Sequence, residues 1–500
     1  MSKNRLLLGC DVGSSSVKVS LFDADNGTSH GSAYSPKEEL AIDSPRHGWA
    51  EQHPELWWKH LKLAVKELLF ETDIDAGQIS AIGISYQMHG LVAVDKKKNV
   101  VRPSIIWCDS RAASIGDQAF KELGPEISLK RFLNSPGNFT ASKLKWVQEN
   151  EPDAYEKIDK IMLPGDYICM KMTGEISTTI SGLSEGIFWD FESNSKADLL
   201  LDHYGISDEL LPEAHESFSN FGKLTNGAAK ELGLNEGILV TYKAGDQPNN
   251  AFSLNVLNPG DIATTAGTSG VIYGITDQPA YDEQSRVNTF VHVNHQKENP
   301  SYGVLLCING TGILYRWIRQ HLLYGGSLSY QKMNELAEMA PIGSDGVTIL
   351  PFGNGAERIL ENRNLGSGIQ GLDFNRHNRT HILRAAQEGI VFSMNYGFDI
   401  MKKMGVDTQI VKAGLANMFQ SPLFREAFVN TTGTTLELYK TDGAEGAARG
   451  AGVGAGIFSS PGEAFKSLER LQVNEPEKEK SKQYKESYQK WVERLEQEIS

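Results

Sequence analysis

Two aspartates and two glycine–hydroxyl turns are the residues of this chain best suited to chemistry. Asp11 ends the apolar run Leu6-Leu7-Leu8-Gly9-Cys10 and precedes Val12-Gly13-Ser14-Ser15-Ser16, which leads into Val17-Lys18-Val19. Half a chain later, Ile262-Ala263-Thr264-Thr265-Ala266 leads into Gly267-Thr268-Ser269-Gly270 and then Val271-Ile272-Tyr273. Small residues in such turns let the backbone approach a phosphate, so that N–H groups and hydroxyls become anion ligands. A phosphate tail held between two such turns is gripped from both sides. Asp11 is placed to hold Mg²⁺ through water beside those phosphates. Lys18 either neutralises phosphate charge or is a solvated strand lysine. Asp246, in Ala244-Gly245-Asp246-Gln247-Pro248-Asn249-Asn250, suits a general base that takes the proton of a hydroxyl attacking a γ-phosphate. Aspartate is equally a favoured helix N-cap, so the residue alone leaves both roles open. Gln87-Met88-His89-Gly90 closes an apolar run, a position where loops bind small ligands. There is no GxxxxGK[ST] and no GxGxxG after a strand, so the P-loop and Rossmann readings lack support.

The elements that must position these residues are legible from pattern. Leu6–Asp11 and Val17–Asp23 read as a hairpin, and Asp25-Asn26-Gly27-Thr28 turns the chain again. Pro54 opens a helix with Trp57, Leu61, Ala64 and Leu68 on one face. Ile79–Ser85, Leu91–Asp95, Ile105–Trp107 and Ile238–Val240 read as strands, with Lys96–Asn99 a solvated turn and a polar helical region over 110–235. Ile262–Tyr273 repeats the layout of the opening hairpin, which points to two related domains joined near Asp246–Pro259. A long helix over Thr380–Met404, a strand at Gln409–Lys412 and a small-residue helix over Gly443–Gly454 follow. From Pro461 the chain is charge-dense, with a surface helix near Lys480–Ile499.

Composition narrows the partners. The chain has 500 residues, 40% hydrophobic and 22% charged, as in ordinary globular proteins. Forty-nine Lys and Arg against 63 Asp and Glu leave a net charge of −14, which argues against a broad grip on nucleic acid or anionic lipid. Cys10, Cys108, Cys169 and Cys307 have no metal-ligand spacing. The start carries only a three-leucine run, too short for a signal-peptide core, and a cytoplasmic protein is expected. The 49 glycines are about a tenth of the chain, against a usual ~7%.

Taken together, these segments resemble the FGGY family of carbohydrate kinases. Asp11–Lys18 is similar to the family's first phosphate motif, DxGTSSxK, with Ser14 in place of threonine. His47–Trp58 resembles its GWxEQ-P-WW segment, and Ser85–Gly90 the SGQMHG of the members acting on xylulose, with Tyr86 for a glycine. Ile106–Arg111, Ala266–Gly270, Glu388-Gly389-Ile390 and Gly443–Gly456 follow in the family's order, over about 10–460. The resemblance implies an α/β fold of two actin-like, ribonuclease-H-like domains flanking a cleft. Residues 1–255 would bind sugar and carry the first hairpin, 256–460 would bind nucleotide, and 461–500 would form a charged helical tail. It implies Asp246 as catalytic base and Asp11 as organiser of Mg²⁺, through water, and of the phosphates. Gly13, Ser14, Ser15, Ser16, Lys18, Gly267, Thr268 and Gly312 fall in the phosphate region, and Gly414 and Asn417 in the adenine-side loop, where the usual run of glycines is missing. Met88 and His89 match the pair that recognises the ketose, where glycerol-acting members use Arg-Glu. Asp246, Gln247 and Asn138 also face the sugar. Gln247 is shared with glycerol-acting members, since those acting on xylulose commonly have asparagine there.

The expected reaction is transfer of the γ-phosphoryl of ATP, with Mg²⁺, to O5 of D-xylulose. Other ketoses or polyols (L-ribulose, fuculose, glycerol) are the alternatives within the family. A non-catalytic actin-like nucleotide-binding protein is the alternative outside it. Sugar and ATP are the expected partners, without nucleic acid or membrane. Homodimers are frequent in the family, so a homodimer is among the expected assemblies.

Overall fold

The computed structural model describes residues 5–323, 327–407 and 409–500. The first four residues of the segment read against a signal peptide lie outside them. Strand β1 (Leu6–Val12) is buried on both faces, as its unbroken apolar run requires. It pairs antiparallel with β2 (Val17–Asp23), setting Asp11 opposite Lys18, and β2 pairs antiparallel with β3 (Thr28–Ser35). On its other side β1 runs parallel to β4 (Ile79–Tyr86), which runs parallel to β5 (Leu239–Gly245). The order is β5-β4-β1-β2-β3. Parallel strands end at one edge of a sheet, so Asp11, Gln87 and Asp246 all emerge there, where open α/β sheets bind ligands. Strand β3 is absent from the sequence reading because its mostly exposed, polar residues carry no apolar alternation until Ala33.

The second sheet repeats this plan. It comprises β6 (Ile262–Ala266), β7 (Gly270–Thr276), β8 (Asn288–Val291), β9 (Tyr302–Ile308), β10 (Ile410–Gly414), β11 (Thr435–Tyr439) and β12 (Arg470–Asn474), in the order β8-β9-β7-β6-β10-β11-β12. The run β9-β7-β6-β10-β11 has the pairing senses of β3-β2-β1-β4-β5: two antiparallel pairs, then two parallel ones. The likeness of the two hairpins therefore extends to the whole sheet. Residues of the first half tie onto edge strand β8. Asn134 exchanges hydrogen bonds with Thr289 at 2.8 and 3.0 Å, and the Ser181 hydroxyl donates to Val291 O at 2.8 Å.

Helix α1 (Pro54–Thr72) covers the first sheet and buries Trp57, Trp58, Leu61, Ala64 and Leu68. Helix α2 (Asp246–Ser253) leads from the first sheet towards the second, and α3 (Arg379–Lys403) runs through the second core. Helix α4 (Gly443–Gly454) belongs by sequence to the second half, yet it lies on the first sheet, with its closest packing on β1 and β4. Glycines on both surfaces permit this. A Cβ at Gly9 would stand 1.8 Å from Ala444 O, and one at Gly83 would stand 2.0 Å from Ala447 O.

The terminal helix α5 (Lys478–Ile499) lies on the surface where the sequence reading expects it, and docks along one face. Tyr484, Trp491 and Leu495 are fully buried on its inner face, and Trp491 Nε1 donates to Ile349 O at 2.9 Å. Only these few apolar residues punctuate a highly charged stretch, so composition hides the stripe. Trp491→Ala is expected to cost about 3–5 kcal/mol in urea unfolding, the range for deleting a buried aromatic. A loss below about 1 kcal/mol would show that the helix is not docked.

Candidate active site

The carboxyl edge of the first sheet gathers the acids. Asp11 lies between Lys18 and Ser85 in register. Burial pushes its carboxyl above the usual range; the neighbouring Ser85 hydroxyl opposes this, Asp442 adds to it and Lys18 opposes it. Lys18 Nζ pairs with Asp442 Oδ2 at 2.6 Å, and Asp442 Oδ1 caps α4 by accepting the Glu445 N–H at 3.0 Å. A Cβ at Gly443 would fall 2.4 Å from Asp11 Oδ2, so only glycine lets the start of α4 close on that carboxylate. In this arrangement Lys18 is neither a free strand lysine nor an uncommitted cation.

Asp246 is the first residue of α2. The N-cap is Gly245, so Asp246 stands one residue inside the helix and not at the N-cap. Its carboxyl is pushed up to about 7, first by burial and then by Asp11, while the backbone and side chain of Gln247 hydrogen-bond to it and hold it down. Gly245 is needed where it stands: a Cβ would meet Glu185 Oε2 and Met88 Cγ at 2.6 Å.

His89 is pinned in an unusual backbone conformation, φ 61°. Its N–H donates to Glu185 Oε1 at 3.2 Å, and its carbonyl accepts from Lys143 Nζ at 2.8 Å. Its Nδ1 lies 2.9 Å from Glu185 O, a carbonyl that can only accept, so Nδ1 carries the proton. Burial and the Lys143 charge press the ring down to about 3, which makes it neutral and leaves Nε2 as an acceptor. Phe139 and Phe290 pack on the ring at 4.8 and 5.4 Å. Met88 is buried beside it.

Several buried polar atoms here have no partner among the described residues: both ends of the Gln87 side chain, Glu185 Oε2 and Asn138 Oδ1. Asn138 Nδ2 donates to Asp109 O. The Tyr86 that replaces a glycine in the motif is accommodated by another glycine, since a Cβ at Gly165 would strike the Tyr86 ring at 2.1 Å.

The tryptophan-rich segments brace this wall. Glu51 accepts from Arg102 at 2.6 Å and Arg111 at 2.7 Å, Arg111 also pairs with Asp109 at 2.7 Å, and its guanidinium lies 3.8 Å from the Trp49 ring centroid. Both segments reach the first turn: Gln52 Nε2 donates to Ser14 O at 2.7 Å, and Trp107 Nε1 to Ser14 Oγ at 3.2 Å. Gly13 donates its N–H to Ser16 O at 3.0 Å, which closes the turn, and Ser15 O accepts the Leu40 N–H at 2.7 Å.

The second half presents a cleft of about 730 Å³ lined by Gly267, Thr268, Gly312, Ile313, Tyr330 and Asn417, among others. The Gly312 N–H donates to Gly267 O at 2.9 Å, and a Cβ there would crowd that oxygen at 2.4 Å. Asn417 takes a left-handed backbone (φ 51°), whereas Gly414 ends β10 and does not line the cleft. Cys307, on β9 beside the second turn, places its Sγ 3.8 Å from Asn309 Oδ1, and burial pushes its thiol up, to about 12.

The structure thus brings Asp11, Asp246, Met88, His89 and the first turn to one edge, and the second turn, Gly312 and Asn417 to the facing cleft. Sequence reasoning missed Glu185, Phe139 and Phe290. Glu185 sits in Gly182-Leu183-Ser184-Glu185-Gly186 with nothing nearby to mark it, and Phe290 reaches the His89 ring from β8 of the other sheet.

Lys143 is fully buried, and its ammonium donates to His89 O and, at 3.0 Å, to Ile106 O. Lys143→Met leaves both carbonyls without that donor and frees the His89 backbone. Expected is a rise of about tenfold, or about 1.4 kcal/mol, in the KM of a ligand held at His89, with a smaller change for a ligand held in the cleft of the second half. Equal shifts in both constants would show a general structural role instead.

Duplicated ribonuclease-H-like sheets, two glycine–hydroxyl turns and a buried aspartate with a raised carboxyl define an actin-like phosphotransferase. The chain belongs to the FGGY family of carbohydrate kinases: the model of the family's N-terminal domain matches residues 6–253, and that of its C-terminal domain residues 262–457. It is 27% identical to the xylulose kinase of Haemophilus influenzae over 98% of this chain and 100% of that protein. It is 28% identical to the xylulose kinase of Bacillus subtilis over 91% of this chain and 89% of the relative. In fold it matches the gluconate kinase of Lactobacillus acidophilus with a TM-score of 0.90 at 22% identity, each chain covered to 99%. The xylulose kinase of Rhodospirillum rubrum matches with a TM-score of 0.87 at 24% identity, again with 99% of each chain covered.

Proposed function

We propose that this carbohydrate kinase phosphorylates D-xylulose on O5 with ATP, in the cytoplasm. The observation that carries the substrate is the pairing of neutral His89 with Met88 beside Asp246, in a pocket whose unpartnered polar atoms suit sugar hydroxyls. Its relatives named as xylulose kinases support the reading.

In the proposed reaction His89 Nε2 accepts a ketose hydroxyl, and Gln87 and Asn138 meet others. Asp246, oriented by Gln247, takes the O5 proton as that oxygen attacks the γ-phosphorus of ATP in line. The two glycine–hydroxyl turns hold the phosphate tail through backbone N–H groups and hydroxyls. The nucleotide base and ribose lie towards Tyr330 and Asn417. Closure of the halves excludes water from the transfer.

Asp11 fits a hard cation. It is an oxygen donor raised by burial and by a neighbouring acid, and ionising it beside a cation relieves both. No group of three or more His, Cys, Asp or Glu side chains forms a metal cluster among the described residues, so the remaining ligands would be water and phosphate oxygens. Mg²⁺ held there would neutralise charge on the transferring phosphoryl.

An ADP-release assay over D-xylulose, L-ribulose, L-fuculose, glycerol and D-gluconate tests the substrate. Expected is a kcat/KM for D-xylulose at least about tenfold above the next sugar, a difference of about 1.4 kcal/mol. A preference for any other compound of the panel would overturn it.

A further inference from the structure

Arg358 stands where the second half reaches over the sugar loop of the first. It opens the short helical turn Arg358–Leu360. Its Nη1 donates to Ser285 O at 3.1 Å and to Ser285 Oγ at 3.3 Å. Ser285 is itself held in a left-handed backbone (φ 55°), and its hydroxyl accepts the Ser135 N–H at 3.4 Å. The guanidinium carbon lies 5.6 Å from the Phe139 ring centroid, and a Cβ at Gly137 would come within 3.4 Å of Nη2. The Arg358 charge is also felt by His89. The group is therefore anchored from behind by one serine and extended across residues 137–139 towards His89.

An arginine offers five N–H donors in a rigid fork. Here the hydrogen bonds to the protein use only Nη1 among the described residues. No carboxylate lies within ion-pairing distance among them either, and Asp117 acts only through space. Burial presses the group down to about 10. A guanidinium drawn out of water without an ion-pair partner is costly unless something else takes its hydrogen bonds.

Its neighbour faces the other way. Glu357 is fully buried, and its carboxylate accepts the N–H groups of Asn309 at 3.0 Å and Gly310 at 3.1 Å. That loop has no slack, since a Cβ at Gly310 would stand 1.6 Å from Pro351 O. Two residues on, Gly312 bonds the second phosphate turn through Gly267 O.

We infer that Arg358 is a specificity-determining residue of the sugar pocket, supplied by the second half, whose free N–H groups donate to hydroxyl oxygens of the bound ketose. Glu357 is the positioning residue that ties this contact to the loop of the second phosphate turn. The pair joins sugar occupancy to the phosphate side, because Arg358 and Glu357 are adjacent on one short turn. The inference rests on the ketose-kinase reading for the identity of the sugar.

The test uses the whole enzyme and begins with the wild-type panel, so that a wrong sugar is seen before any variant is made. Variants are then measured with whichever neutral sugar the wild type phosphorylates best. Arg358→Gln is expected to raise the KM for that sugar about 10- to 100-fold, the range for losing hydrogen bonds from a charged donor. Binding of ATP alone, by calorimetry, is expected to change less than about threefold, the limit for a site left untouched. Arg358→Lys keeps the charge but not the fork, and is expected to recover only part of the loss. Glu357→Gln is expected to raise the KM for ATP and, by less than Arg358→Gln, the KM for the sugar; both constants unchanged in a folded protein would remove the link through Glu357.

Thermal midpoints establish that each variant is folded; should Arg358→Gln fail to fold, Arg358→Lys decides alone. A sugar KM within about threefold of wild type in a folded Arg358 variant overturns the inference. So does a wild type that prefers D-gluconate, because the fork would then pair with a carboxylate and not with hydroxyls. A preference for another neutral sugar would sink the xylulose reading and leave the arginine contact standing.

Discussion

Asp246→Asn is expected to lower kcat about a hundred- to ten-thousand-fold, the usual contribution of a positioned general base, while ATP and sugar still bind. The geometry gives the reason. Asp246 sits at the first turn of α2, oriented by Gln247 and raised to about 7 by burial and by Asp11. A base works in its ionised form, so wild-type kcat/KM is expected to rise with pH through a limb near 7. That limb is expected to be missing from the asparagine variant. His89 is neutral across this range and contributes no limb of its own.

The same shift has a stability consequence of opposite sign. The folded-state value lies above the ordinary value of 3.8, so below pH ~4 the carboxyl is protonated in both states and costs nothing. As pH rises from about 4 to about 7, the folded protein resists an ionisation that the unfolded chain makes freely, and stability is lost. The asparagine side chain of the variant cannot ionise and escapes that loss. Asp246→Asn is therefore expected to be more stable than wild type at pH 8, by roughly 2–4 kcal/mol, and equal to it near pH 4. Wild-type turnover by a folded Asp246→Asn protein would remove the base assignment. A variant that is less stable at pH 8 would remove the account of the raised carboxyl.

Gly9→Ala is expected to cost about 3 kcal/mol or more, although it lies outside the chemistry. The added methyl would meet Ala444 O at 1.8 Å and Ala448 N at 2.5 Å, both backbone atoms of α4 that no rotamer change can move. The helix must lift from β1, taking with it Asp442 and Gly443, which close on Lys18 and Asp11. Turnover is therefore expected to fall together with stability. Urea unfolding and kcat measured on the same preparation check both. Gly227→Ala serves as the control: it lies in the helix Asn226–Leu232 with nothing within 4 Å of the new Cβ, and is expected to be neutral or slightly stabilising. A Gly9→Ala protein within about 1 kcal/mol of wild type would refute the backbone-on-backbone packing.

Much of the fold was legible because the relevant signals are local. The paired hairpins declare themselves by apolar strands around small polar turns, and their repetition half a chain apart announced the duplicated sheets. Helix α3 was read almost to its ends, since its apolar spacing runs uninterrupted over Arg379–Lys403. Strands β3, β8, β9, β11 and β12 were not read: β3 and β12 are edge strands with largely exposed residues, and an edge does not demand alternation, while β8, β9 and β11 are short, mostly buried runs. The terminal helix was read in place but not in role, because three buried residues among many charges leave no average signal.

The candidate site divides in the same way. By itself the sequence determined the residue types that can do the chemistry: Asp11, Asp246, the Met88-His89 pair and the two anion-binding turns, each a short local pattern. Only the tertiary structure decided how they are held. Parallel pairing of β1, β4 and β5 brings Asp11, His89 and Asp246 to one edge, although they are far apart in the chain. It placed Glu185 behind His89, committed Lys18 to Asp442, laid α4 on the first sheet and brought Phe290 and Arg358 across from the second half. None of these has a local signature, because burial, a shifted carboxyl and a contact between halves arise from distances in space, and spacing along the chain does not encode them.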